Sequence, residues 1–283
     1  PIDAISMASK NCFDYYKMGN EFGGIGPGKI ADILILDNYK KIKINKVILG
    51  GKIVVSDGKL IQQLHTPKVP AWMQKTVKIP KLYPKFFNVN SKNTDETVNT
   101  ILMKTEIVTQ KNTSNLDVKD SNVVASYDKD IWKVAALDRT FGSKTHAVGF
   151  LENFGADIGA FASTWSFHEN DMIVIGSNEN DMADACNKLT KSQGGLIIVK
   201  DGKTLASLPF QLGGIISTDP IEKVTKNFTK INDVLSDSGC KFKKPHLIPL
   251  FLPFLALPDI RILYSGIVDV KSRMFVPTIQ TNL

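Results

Sequence analysis

The stretch Gly155–Gly176, GADIGAFASTWSFHENDMIVIG, decides how this chain is read. It opens on small residues and glycines, passes through a polar knot (Ser166, His168, Glu169, Asn170, Asp171) and enters an apolar run, Met172–Ile175. A short apolar run bounded by such signals has the length of a buried strand. Polar side chains crowded at its mouth need partners or a ligand, because desolvating them without either is costly. The knot is therefore either a solvated loop feeding a core strand or the rim of a small-molecule pocket.

Elements on the C-terminal side follow from local signals. Ser177-Asn178 can cap a helix running to about Ser192, with Met182, Ala185, Cys186 and Leu189 as its buried stripe and Gly194-Gly195 as its stop. Leu196–Val199 and Thr204–Leu208 pair across the turn signal Asp201-Gly202. A second helix is marked by Asp219 as N-cap, Pro220 at the first helical position and Glu222 closing a capping box. Ile221, Val224, Phe228, Ile231 and Leu235 repeat at helical spacing, and Gly239 ends the run. The remainder, to Val276, reads as short strands and proline-bound turns.

On the N-terminal side, Pro1–Met18 reads as a helix ending before a glycine-rich turn. That turn contains Gly23-x4-Gly28-Lys29, the spacing of a phosphate-binding loop, but position 30 is Ile and a strand follows rather than a helix, so it is a turn only. Ala31–Leu36, Val47–Leu49 and Lys52–Val55 read as short strands, with Gly50-Gly51 and Asp57-Gly58 as hairpin turns. Residues 66–84, carrying Pro67, Pro70, Pro80 and Pro84, read as an extended connector. Val98–Val108 and Ile131–Leu137 read as strands, and the polar segment Gln110–Ser121 as a loop. Strands with two helices outside strict βαβ alternation predict an α+β domain. The expected organisation is a helix over 1–18, a small β module over 19–65, a connector over 66–84 and a larger α+β domain over 85–283.

Composition narrows the function. Of 283 residues, 43% are hydrophobic and 22% charged, values of a folded chain. The net charge of +7 invites nucleic acid, but only Arg139, Arg261 and Arg273 are arginines and the lysines are scattered, which is the pattern of a solvated surface rather than of base reading. Cys12, Cys186 and Cys240 make no close pair, which fits a reducing, cytoplasmic compartment. The most apolar segment, Leu247–Leu257, is interrupted by Pro249 and Pro253 and is too short to span a bilayer. The chain starts at Pro1 in what reads as the middle of a fold, so it is expected to be part of something longer.

The chemistry available is sparse. His65, His146, His168 and His246 are far apart, with no HxH, HExxH or zinc-finger spacing, so no metal site is expected from this chain. No GxSxG elbow supports a serine nucleophile. His168, beside Glu169 and Asp171 whose charge would raise its basicity, makes these three the catalytic candidates, with a hydrogen-bonded structural residue as the plainer reading of His168. Asp138, Arg139 and Asn170 are the substrate-binding candidates, with an ordinary ion pair as the plainer reading of the first two.

Several stretches carry a family resemblance. PIDAISMASKN followed by GGIGPGKIADILILD is similar to the last barrel helix and the returning β-sandwich strand of amidohydrolases. DIWKVAALDR, GAFASTWSFHENDMIVIGSNENDM, DGKTLASLPFQLGGIIS and LPFLALPDIRI, in that order, resemble the adenine deaminase C-terminal domain. The resemblance implies that residues 1–18 are the final helix of a TIM barrel, that 19–65 are part of a small β-sandwich, and that 85–283 have a mixed or antiparallel sheet with about two flanking helices. It implies hydrolysis of adenine to hypoxanthine and ammonia, in a homo-oligomer, without nucleic acid or membrane. A divalent metal, manganese or iron with zinc as third choice, would activate water in the barrel and would not be bound by this chain. The chain departs from the family where Phe167-His168-Glu169-Asn170-Asp171 replaces a His-Asp-Ser-His-Asn run, and where Asp138-Arg139-Thr140 replaces Glu-Arg-His. Those departures keep open a non-catalytic capping or oligomerisation module, or an amidohydrolase with another purine or amide substrate.

Overall fold

A computed structural model describes residues 1–62 and 69–280, so His65 and the first part of the expected connector lie outside the described residues. The chain divides into two units, 1–68 and 69–283.

In the first unit, residues 1–18 form two short helices, α1 (Ile2–Met7) and α2 (Lys10–Tyr15), in place of the single helix expected. Ser9 breaks the run: its hydroxyl donates to the Ile5 carbonyl at 2.6 Å, competing with the helical ladder, and its backbone leaves the helical region. The glycine-rich segment that follows is turns, and then β1 (Ile33–Asn38), β2 (Lys43–Leu49), β3 (Lys52–Ser56) and β4 (Lys59–Leu60) form one antiparallel sheet in sequential order. Gly50 and Gly51, both at positive φ, make the β2–β3 turn, where glycine carries no Cβ penalty.

The second unit is an α+β layer structure. Its strands are β5 (Asp95–Met103), β6 (Thr109–Lys119), β7 (Asn122–Val123), β8 (Ile131–Asp138), β9 (His146–Glu152), β10 (Ala160–Ser163), β11 (Asp171–Gly176), β12 (Gly195–Lys200) and β13 (Lys203–Pro209). They form one nine-stranded sheet in the order β13-β12-β10-β11-β8-β9-β5-β6-β7, antiparallel except where β5 meets β9. Helix α3 (Glu179–Ser192) covers one face and α4 (Ile221–Asp237) the other. With α4 lie a four-residue helix, α5 (Ile248–Phe251), and a small sheet of β14 (Ile260–Leu263), β15 (Gly266–Asp269) and β16 (Met274–Val276).

Period-2 alternation sorts the central strands between these layers. Ala135, Leu137, Met172 and Val174 face α3, whereas Val134, Ala136, Ile173 and Ile175 face α4 and the small sheet. The capping signal at α3 is realised, because the Asn178 side chain accepts the Asp181 N–H at 2.9 Å. At α4 no box forms: the helix begins after Pro220, and Asp219 instead accepts a hydrogen bond from the Lys223 ammonium at 2.9 Å.

Two expectations are corrected. Residues 110–121 are not a loop; nearly all belong to β6, which pairs along its length with β5. Polar side chains point outward while Thr109 and Leu116 are buried, so the segment keeps a strand's alternation with little apolar content. Residues 69–84 carry no strand, as expected, but the division between units falls at 68/69 rather than near residue 84, so they belong to the second unit. Val77, Ile79 and Leu82 are buried in the second unit, and the backbone there is hydrogen-bonded by the side chains of Gln193 and Asn187. The prolines remove ladder donors, and side-chain amides bond the N–H and carbonyl groups of Val77 and Leu82.

Candidate functional site

β8 and β11 lie side by side, and their register sets Asp138 opposite Asp171. Both belong to the alternating set that faces α4 and the small sheet, so two carboxyls meet at the end of one ladder. Arg139 follows β8 directly, and Ser166–Asn170 form the turn that enters β11. The polar knot and the Asp138-Arg139 pair are thus brought together by strand pairing.

Asp138 is buried, and its two oxygens accept from the N–H groups of Thr140 and Phe141 at 2.9 Å each, the N–H of Ser143 at 3.1 Å and the Ser143 hydroxyl at 2.5 Å. Burial alone would raise its pKa, but these donors outweigh it and hold the carboxyl below its ordinary value. Asp171 is in the opposite situation. It is 2% exposed, and burial pushes its pKa up to about 7; the Tyr264 N–H at 2.9 Å opposes this, the charges of Glu169 and Asp138 reinforce it, and Arg139 opposes it.

Arg139, also 2% exposed, donates to the Gly213 carbonyl at 3.0 Å and to Asn170 Oδ1 at 3.1 Å, while its Nε has no partner among the described residues. Burial lowers its pKa and the Asp171 charge works against that. Asn170 is held at φ +58°, and its N–H donates to the Ser166 hydroxyl oxygen at 3.0 Å, closing the turn. Glu169 accepts the Leu255 N–H at 3.2 Å and sits 3.2 Å from His168 Nε2, and its other oxygen, buried, has no partner among the described residues. His168 itself is exposed.

The sequence candidates therefore separate. Asp138, Arg139, Asn170 and Asp171 form one connected cluster, and Glu169 stands at its edge. The exposed His168 ring lies against Glu169 and the edge of Phe254, and only the His168 backbone carbonyl meets the cluster, accepting from the Asn170 amide at 3.3 Å. Sequence reasoning missed the loop 211–217, QLGGIIS, as part of the site. Arg139 and the Thr164 hydroxyl grip it through the carbonyls of Gly213 and Gly214, at 3.0 and 2.6 Å. Gly214 has φ +73°, and a Cβ there would stand 2.8 Å from an Arg139 nitrogen. The double glycine was the available signal.

Chemically, the cluster offers a fixed guanidinium, a carboxyl able to keep a proton near neutral pH, and an amide at the solvent edge. Asp138 has both oxygens engaged, and among the described residues no group of three or more His, Cys, Asp and Glu side chains is placed to hold a metal ion. Also among the described residues, no helix is long and apolar enough to cross a membrane.

Comparison with known proteins bears on the same residues. The adenine deaminase C-terminal domain family matches residues 106–274, which include the whole cluster. An adenine deaminase of Cenarchaeum symbiosum (strain A) is 51% identical over 279 residues, covering 99% of this chain and 46% of that protein. Adenine deaminases of Clostridium botulinum (strain 657 / Type Ba4) and Moorella thermoacetica are 31% and 30% identical, over 98% and 95% of this chain and 47% and 46% of their own lengths. The chain spans about half the length of the relatives it matches. It belongs to the adenine deaminase family, of which it is a C-terminal portion.

Proposed function

We propose that the chain is the C-terminal portion of a metal-dependent aminohydrolase that converts adenine and water to hypoxanthine and ammonia. The single observation that carries this is the 51% identity, over 99% of the chain, to a protein named adenine deaminase. In this reading the divalent metal, manganese or iron with zinc as third choice, is held by residues outside these 283, and the isolated chain is inactive. The complete protein works in the cytoplasm as a homo-oligomer and takes a small purine rather than nucleic acid or a membrane.

Arg139, Asn170 and the 211–217 loop then form a preset lip at the substrate site. Asn170 is the group with an amide at the solvent edge, and Arg139 fixes it from behind. Asp171, protonated or not near pH 7, sets the charge beside Arg139. Glu169 and His168 are peripheral to this lip.

The test is metal content with a substrate panel. The isolated chain, after gel filtration, should carry no stoichiometric transition metal; a tightly bound metal contradicts the reading. The complete metal-loaded protein should favour adenine over other aminopurines and small amides. Preference for another of these would support the second reading, a family member with a changed substrate, which the rewritten positions 138–140 and 167–171 favour.

A further inference from the structure

A cleft of about 580 Å³, sharing no lining residue with the cluster above, lies between the segment 80–90 and the start of β9. Lys81, Lys85, Lys144 and His146 line it, together with the rings of Tyr83 and Phe86. None of its ten lining residues is acidic. Among the described residues none of the three lysines has a carboxylate within 4.0 Å, whereas the acids of neighbouring elements are engaged elsewhere. Asp138 is bonded to the 140–143 loop and Glu179 to Lys133. Three uncompensated ammonium groups around one concavity raise the local concentration of anions.

The cleft has a built wall as well as charge. The Phe86 ring stacks on His146 with centroids 3.7 Å apart and planes 26° from parallel, which ties the 84–87 turn to β9. His146 Nδ1 is 3.0 Å from the Lys144 carbonyl, which can only accept, so Nδ1 carries a proton and Nε2 is the ring nitrogen left for a ligand. Tyr83 is 56% exposed, with the Lys81 ammonium 5.5 Å from its ring centroid. Exposed aromatic surface beside free cations suits a ligand with a flat ring and a phosphate. The volume is that of a small-molecule site.

We infer that this cleft binds a small phosphate ester bearing a planar ring, of the nucleoside monophosphate class. The site is separate from the deamination reading and would stand without it. The test is calorimetric titration of the full-length protein, at low ionic strength, with adenosine monophosphate, adenosine and inorganic phosphate, repeated on Lys85→Gln/Lys144→Gln and on Asn170→Ala. The expected result is that the monophosphate binds roughly tenfold tighter than either part alone, and that the double lysine variant weakens it roughly tenfold while Asn170→Ala does not. Both lysines are exposed, so the variant folds; its circular dichroism should match the parent. Unchanged affinity in the lysine variant overturns the proposal. So does adenosine or phosphate binding as tightly as the ester, or a single-stranded oligonucleotide binding tighter than the mononucleotide.

Discussion

Asp171 and Asp138 face each other across the β8–β11 ladder, yet the fold pushes the pKa of Asp171 up to about 7 and holds that of Asp138 below its ordinary value. The difference lies in donors: Asp138 receives four hydrogen bonds, Asp171 one from the Tyr264 backbone. Because the Asp171 pKa rises from 3.8 to about 7, the folded protein binds more protons than the unfolded chain between those values. Stability from this group is therefore full below about pH 4, falls as pH rises toward 7, and is flat above. Asp171→Asn should remove that fall, matching the parent near pH 4 and exceeding it at pH 8 by up to about 4 kcal/mol. Urea midpoints from pH 4 to 8 measure it; parallel profiles for the two proteins would contradict the burial argument.

Asp138 contributes with the opposite sign. Its lowered pKa stabilises the fold above the ordinary value of 3.8, and this is lost as pH falls through the folded value. Asp138→Ala leaves three backbone N–H groups without their acceptor and should cost about 2–4 kcal/mol at pH 7. It should also open the 140–145 loop, so that trypsin cleaves after Lys144 faster than in the parent.

Lys133 is 1% exposed on the face toward α3, where its ammonium meets Glu179 at 2.6 Å, Asn122 Oδ1 at 2.8 Å and the Phe87 carbonyl at 3.0 Å. Burial lowers its pKa against the pull of Glu179. Glu179→Ala strands the charge and should cost about 3–5 kcal/mol at neutral pH, while Lys133→Met combined with Glu179→Ala should regain most of that. Chemical denaturation of the two variants distinguishes an ion pair needed for stability from one replaceable by apolar packing.

What could be read beforehand divides along a physical line. Gly50-Gly51, Asp201-Gly202 and Asn178 act through local geometry, and each stands where the sequence placed it. The α3 stripe was legible because Met182, Ala185, Cys186 and Leu189 recur at helical spacing within a 14-residue helix. β6 was not, since TQKNTSNLDVK has a strand's alternation but too little apolar content to announce it. Nor could the sequence show that Asn187 and Gln193 would anchor residues 69–84, because those partners lie more than a hundred positions away. Within the site, Asp138, Arg139, Asn170 and Asp171 were named in advance, but their union depends on the β8–β11 register, and the role of Gly213 and Gly214 on a carbonyl contact across 74 positions.

Gly214 gives a prediction for activity. Alanine there is strained at φ +73° and would stand 2.8 Å from Arg139 and 3.2 Å from Val77. Gly214→Ala should push the guanidinium off Asn170 and lower kcat/KM for adenine in the complete protein by about tenfold or more. Asn170→Asp, which keeps an acceptor for Arg139, should lose less. Equal activity in Gly214→Ala and the parent would place the 138–171 cluster away from the substrate.

In the proposed function these residues complete an adenine deaminase whose metal is held outside the 283 residues. The direct measurement is hypoxanthine and ammonia released from adenine by the folded, metal-loaded, full-length protein, followed together. Equal amounts of both products are expected, abolished by a chelator and restored by the divalent ion. A folded protein with its metal bound and no hypoxanthine formed would contradict it.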